Sequence, residues 1–118
     1  MDIESYRTYC ISKLCVTEEF PFEESTLVFK VVGKMFALTD VEGFESVNLK
    51  CDPEKAIELR EKYDAVIPGY HMNKKHWNTI IMDGSLSDIL MKNLIDHSYE
   101  LVVDKLPKKD RELLKPSD

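Results

Sequence analysis

Between Pro68 and Thr79 the chain reads Pro-Gly-Tyr-His-Met-Asn-Lys-Lys-His-Trp-Asn-Thr, its densest run of groups able to hold a ligand. Lys74 and Lys75 offer cations to phosphates, and Tyr70 and Trp77 offer rings on which bases stack. His71, Asn73 and His76 add further donors. No acid falls between Asp64 and Asp83, so the stretch is locally basic in an acidic chain. Lys30, Lys34 and Lys50 lie in or beside other expected strands and extend the set. The candidate nucleic-acid contacts are therefore Lys30, Lys34, Lys50, Tyr70, His71, Asn73, Lys74, Lys75 and His76. The plainer alternative makes the lysines solvated turn residues. For Trp77 the plainer reading is the stronger one, because it alternates with Thr79 and Ile81 along a strand and so faces a core.

Other chemistry is poorly served. His71 and His76 sit at a loop–strand junction and do not share a helix face as HExxH histidines do, so no metal site is expected. Cys51 falls on the inward face of its strand, which disfavours a nucleophilic pair with a distant histidine. Gly33-Lys34 lacks the extra glycines and the following helix of a phosphate loop. Glu18, Glu19, Glu23 and Glu24 read as a solvated acidic loop, with attraction of a basic partner as the alternative. No catalytic residue and no cofactor is expected. The chain reads as a binding module rather than an enzyme.

The elements that must position these residues follow from local signals. Ile3, Tyr6, Cys10, Ile11 and Leu14 have helical spacing behind an Asp2 N-cap, giving a helix to about Cys15 or Val16. Thr17 to Ser25 reads as a loop around Phe20-Pro21-Phe22. Thr26–Val32 and Met35–Thr39 are rich in β-formers, and Gly33-Lys34 between them predicts a two-residue hairpin turn. That turn pairs Val32 with Met35 and Val31 with Phe36. It places Leu27, Phe29, Val31, Phe36 and Leu38 in the core, and leaves Val28, Lys30, Val32, Met35, Ala37 and Thr39 on the other face. Val47, Leu49 and Cys51 alternate with Asn48 and Lys50 in a third strand. Asp52-Pro53-Glu54 opens a second helix, with an acid at the N-cap and proline at the first helical position. A short strand is expected within Ala65–Tyr70, and a firmer one over His76–Met82. Ser85 or Ser87 caps a last helix, broken near His97-Ser98 and stopped by Pro107. The order α-β-β-β-α-β(-β)-α predicts a two-layer α+β domain, an antiparallel sheet with helices on one face.

The 118 residues suit a single domain, residues 1–118, with a charged C-terminal tail from about 107. With 43% hydrophobic and 32% charged residues, the composition is globular. No apolar run is long enough to span a bilayer, and no membrane partner is expected. The N-terminus has no basic and apolar leader, and three cysteines without CxxC spacing read as reduced thiols, so a cytoplasmic location is expected. The formal net charge of -6 counts against a strongly basic nucleic-acid binder, though a local patch can outweigh the total.

Five blocks in order resemble the MmcQ/YjbR family of small bacterial proteins. They are Phe20-Pro21-Phe22 before an acid, Gly33-Lys34-Met35-Phe36-Ala37-Leu38, Leu49-Lys50-Cys51-Asp52-Pro53-Glu54, Pro68 through Trp77, and Asp96-His97-Ser98-Tyr99-Glu100-Leu101-Val102. The resemblance implies an α-β3-α-β2-α fold like that of secretion chaperones. It also implies a DNA-binding role, by likeness to a double-wing DNA-binding domain, and it brings no catalytic residues. The leading expectation is thus a module that binds DNA weakly and without sequence specificity. The alternative is a protein-interaction or chaperone-like domain using the exposed sheet face, where Val28, Val32, Met35 and Ala37 should leave an apolar patch. The sequence leaves the oligomeric state open.

Overall fold

A computed structural model of the chain describes residues 1–70 and 72–114, so the candidate His71 and the end of the charged tail lie outside the described residues. The described elements are helix α1 (Ile3–Ile11), strands β1 (Val16–Glu19), β2 (Thr26–Val31), β3 (Lys34–Asp40) and β4 (Ser46–Lys50), helix α2 (Pro53–Lys62), strands β5 (Val66–Pro68) and β6 (Trp77–Ile81), and helices α3 (Asp88–Asp104) and α4 (Lys108–Glu112). The strands form one antiparallel sheet in the order β1-β2-β3-β4-β6-β5. The α+β expectation holds, with the helices on one face. No described helix is long and apolar enough to cross a membrane.

The helix starts are where the caps place them. Asp2 accepts the Ser5 N–H, Asp52 accepts those of Glu54 and Lys55 ahead of Pro53, and Ser87 accepts that of Leu90. On the helix side of the sheet, Leu27, Phe29, Phe36, Val47, Leu49 and Ile80 pack beneath Tyr6, Cys10, Ala56, Leu59, Met91, Leu94, Ile95 and Val102.

The hairpin departs from expectation by one residue. Its turn is Val32-Gly33, both with positive φ (47° and 79°), and not Gly33-Lys34. Val31 therefore faces Lys34 and Lys30 faces Met35, while Phe29 faces Ala37, so Phe36 is an extra residue in β3. This bulge turns Phe36 and Ala37 both toward the helices, where both are buried. Phe36 thus keeps its expected place. Ala37 is in the core, contrary to expectation, and Leu38 moves to the opposite face with Val28. Val32, at the turn, packs against the helix-side core.

Three further expectations are corrected. Helix α1 ends at Ile11, because Cys15 takes positive φ (60°) and turns the chain into β1. Val16–Glu19 is an edge strand rather than loop. It pairs with Val28–Val31, and Glu18 is held by Arg7 of α1 (Nε–Oε2 2.6 Å). Four residues carrying two acids make a short, charged edge of the kind that resists pairing with another chain. Helix α3 runs unbroken through His97-Ser98, where Ser98 bonds to strands β3 and β4 and His97 to the N-cap of α2.

Candidate functional site

Residues paired across an antiparallel sheet share a face. One row therefore crosses the uncovered side: Glu19, Val28, Leu38, Asn48, Thr79 and Ile67. A parallel row carries Thr17, Lys30 and Met35, and then Lys50 beside Trp77. Trp77 is only 8% exposed, as the core reading of it required, but it is buried on the open face and not under the helices. It forms a small cluster with Val28 and Leu38, and Met35 and Met72 pack against it. The expected exposed patch is thereby corrected: Val28 is fully covered, and Ala37 and Val32 face the other way.

Two loops frame this face. The loop after β1 carries Phe22, 66% exposed, and the loop between β5 and β6 carries Tyr70, 67% exposed. Between them runs a groove of about 310 Å³ lined by Phe22, Thr26, Met35, Leu38, Asn48, Tyr70 and Met72. The second loop is tightly fastened. The Gly69 N–H donates to the Trp77 carbonyl at 2.9 Å. A Cβ at Gly69 would lie 2.8 Å from the Trp77 Cβ, so only glycine fits there. The Asn73 side chain accepts the Lys75 N–H at 2.9 Å and its carbonyl accepts the N–H groups of His76 and Trp77, which closes the turn. Arg60 of α2 donates to the carbonyls of Lys74 and Trp77 and, at 2.7 Å, to the Asn78 side chain. The Tyr70 N–H donates to the Thr79 hydroxyl at 2.8 Å, and that hydroxyl donates to Asn48.

The expected cations separate. Lys30 is paired with Glu19 at 3.4 Å. Lys74 and Lys75 are exposed on the fastened loop, where the Lys74 ammonium also donates to the Gly69 carbonyl at 3.2 Å. Lys34 and Lys50 line a pocket of about 250 Å³ at the Trp77 end of the face, together with Met35, Trp77, Val102, Lys105 and Leu106. Sequence reasoning missed Lys105, which no local signal joins to Lys50. Among the described residues, Lys34, Lys50, Lys74, Lys75 and Lys105 form no ion pair. Burial first, and the Lys105 charge second, lower the pKa of the Lys50 ammonium. His76 is half-buried, and its carbonyl accepts the Cys51 N–H at 2.7 Å.

The thiol chemistry follows from burial. Cys51 is buried with its pKa pushed up to about 11, and no hydrogen bond joins its sulfur to a described histidine. Cys10 is buried and pushed up to about 12, also by desolvation. Among the described residues no three of His, Cys, Asp and Glu gather as a metal set.

The block Asp96–Tyr99 is a row of fastenings. Asp96 accepts from the Tyr9 hydroxyl (2.6 Å) and from Lys13. His97 Nε2 accepts the Asp52 N–H at 3.2 Å. Ser98 donates to the carbonyl of the bulged Phe36 and accepts the Lys50 N–H at 2.8 Å. The Tyr99 hydroxyl donates to the Leu14 carbonyl at 2.8 Å, and its ring meets Phe36 edge-on.

The YjbR family profile matches residues 12–101, from the end of α1 well into α3. The chain belongs to the YjbR family. Among YjbR-family relatives, the uncharacterized protein YjbR of Escherichia coli K12 is 36% identical over 115 residues, 97% of this chain and 98% of its own length. YbdF of Escherichia coli O157:H7 is 41% identical over 98 residues, 82% of this chain and 80% of its own. A crystal structure of a Deinococcus radiodurans protein with a DUF419 domain superposes with a TM-score of 0.89 at 41% identity, covering 97% of this chain and 88% of that one. The YjbR match stops short of Lys105, so the pocket's third lysine lies outside it.

Proposed function

We propose that this YjbR-family chain is a small binding module that makes weak, sequence-independent contacts with DNA on its open sheet face. The observation that carries the reading is the meeting of Lys34, Lys50 and Lys105 in one pocket at the Trp77 end of that face, with Lys74 and Lys75 exposed on the loop that leads into Trp77 and no ion pair to any of the five among the described residues. The Tyr70 ring is exposed on the same loop as Lys74 and Lys75 and offers a stacking surface. The net charge of -6 opposes a polyanion at long range. At physiological salt that repulsion is screened beyond about 8 Å, so short-range contacts decide. The reading places the chain in the cytoplasm, where free Cys10, Cys15 and Cys51 stay reduced.

Neutralising two or three phosphates gives a log–log salt slope of about -2 to -3, and dissociation constants of about 10⁻⁴ to 10⁻⁶ M. The test is fluorescence anisotropy with short duplex and single-stranded DNA at low and moderate salt. Lys74→Ala with Lys75→Ala is expected to weaken binding to all sequences alike and to flatten the slope by up to about two units. Absence of binding at low salt, or an unaffected double variant, overturns the reading. A protein partner then becomes the better reading, because Phe22 and Tyr70 flank a groove floored by Met35, Leu38 and Met72.

A further inference from the structure

The pocket at the end of α3 has a chemistry of its own. Its ammonium groups come from three elements: Lys34 beside the hairpin turn, Lys50 on β4 and Lys105 at the C-cap of α3. The pocket's apolar lining is Met35, Trp77, Val102 and Leu106. No described carboxylate pairs with any of the three lysines. The carboxyl end of α3 brings partial negative charge to the same place, and Lys105 offsets it. Three uncompensated cations on apolar walls call for a multivalent anion carried on an apolar body.

A phosphomonoester meets that demand, with about -1.5 to -2 charges and three acceptor oxygens at neutral pH. A carboxylate or a phosphodiester brings a single charge. Size narrows the class further. At about 250 Å³ the cavity falls below the roughly 300–1,000 Å³ of most small-molecule sites, so it takes one nucleotide or one end of something longer. Met35 lines both this pocket and the adjoining 310 Å³ groove, so a strand lying along the groove reaches the pocket with its terminus.

We infer that the pocket binds a nucleoside monophosphate, either free or as the phosphorylated end of a nucleic-acid strand. The strand-end form rests on the DNA-binding reading, and the free form does not.

Trp77 is the chain's one tryptophan, so its indole N–H is a single resolved reporter in a nitrogen–proton NMR spectrum. The full chain is titrated with adenosine 5′-monophosphate and, separately, with adenosine. The monophosphate is expected to shift the Trp77 indole and the Lys50 and Lys105 amides, and adenosine to leave them in place. Lys105→Ala should weaken the monophosphate by about tenfold, the scale of one charge-assisted hydrogen bond. Lys105 is exposed and its backbone cap bonds survive in alanine, and Lys34→Ala at the exposed turn serves as the second variant. In anisotropy, a strand with a 5′- or 3′-terminal phosphate is compared with the same strand bearing hydroxyl ends. A preference for the phosphorylated end that Lys105→Ala abolishes assigns the strand end as the source. Equal binding of both strands, with the monophosphate still bound, supports the pocket and assigns the free nucleotide. Monophosphate binding without any strand binding leaves the pocket standing and removes the DNA reading. Unmoved Trp77, Lys50 and Lys105 signals at millimolar monophosphate overturn the inference.

Discussion

The two faces of this sheet are made from alternating residues of the same strands, yet they are covered by different means. On one side Phe29, Phe36, Val47, Leu49 and Ile80 lie under helices, in one continuous core. On the other, Val28, Leu38 and Trp77 form a small buried cluster beneath Met35 and Met72 and beside the fastened loop, with Thr79 buried next to it. Around that small cluster the open face is polar and its charge is divided. Glu19 stands at the β1 edge, matched by Lys30. Unmatched Lys34, Lys50 and Lys105 stand at the far end. Helices bury a face wholesale, whereas on the other side Met35 of β3 and Met72 of a single loop cover only its centre.

The sharpest test of this contrast removes a ring from each side. Phe36→Ala should cost about 3–5 kcal/mol in urea unfolding. Trp77→Ala should cost less, because a loop collapses into the space more readily than helices do. Equal losses would make the open-face cluster a second core and break the contrast. The next effect in size is Ser98→Ala, which leaves the Phe36 carbonyl and the Lys50 N–H unsatisfied at the junction of α3, β3 and β4. A loss of about 1–3 kcal/mol is expected. A neutral result would mean that the bulge holds without the serine.

Alkaline titration probes the buried thiols of the helix side. Buried Cys10 and Cys51 have folded pKa values of about 12 and about 11 against an ordinary 9.0, with desolvation as the leading cause. A raised value favours the neutral thiol in the folded chain. Their contribution is therefore full below pH 9 and is lost as the pH rises toward 11 to 12. Thermal unfolding from pH 7 to 11 should show a plateau and then a fall, and a thiol reagent at pH 8 should label exposed Cys15 ahead of the other two. Rapid labelling of all three would show the core open. The smallest effect belongs to the open face: Lys75→Ala should change stability by no more than about 0.5 kcal/mol. A larger loss would mean that the loop lysines serve the fold before any ligand.

Much of this architecture was legible in the chain. Asp2, Asp52-Pro53 and Ser87 announce their helices, and Val47 and Leu49 alternate with Asn48 and Lys50 as the sheet requires. The candidate loop was legible from its composition. Its rigidity was not, because Arg60, which ties it down, belongs to α2. The register of the hairpin was misread because Gly33-Lys34 is as acceptable a local turn as Val32-Gly33.

The sequence by itself determined the α+β class, the capped helix starts and the presence of a locally basic segment. Each depends on energies between residues a few positions apart: a side chain accepting a backbone N–H within one turn, or alternation along one strand. Tertiary structure alone decided the bulge at Phe36, the side of the sheet that receives Trp77, and the meeting of Lys34, Lys50 and Lys105. The bulge is held by Ser98, 62 residues further along the chain, and the lysines meet because α3 lies across the strands that carry the other two. Such choices are settled by which arrangement buries the most apolar surface while satisfying the backbone groups it encloses, and no short window of sequence contains both partners.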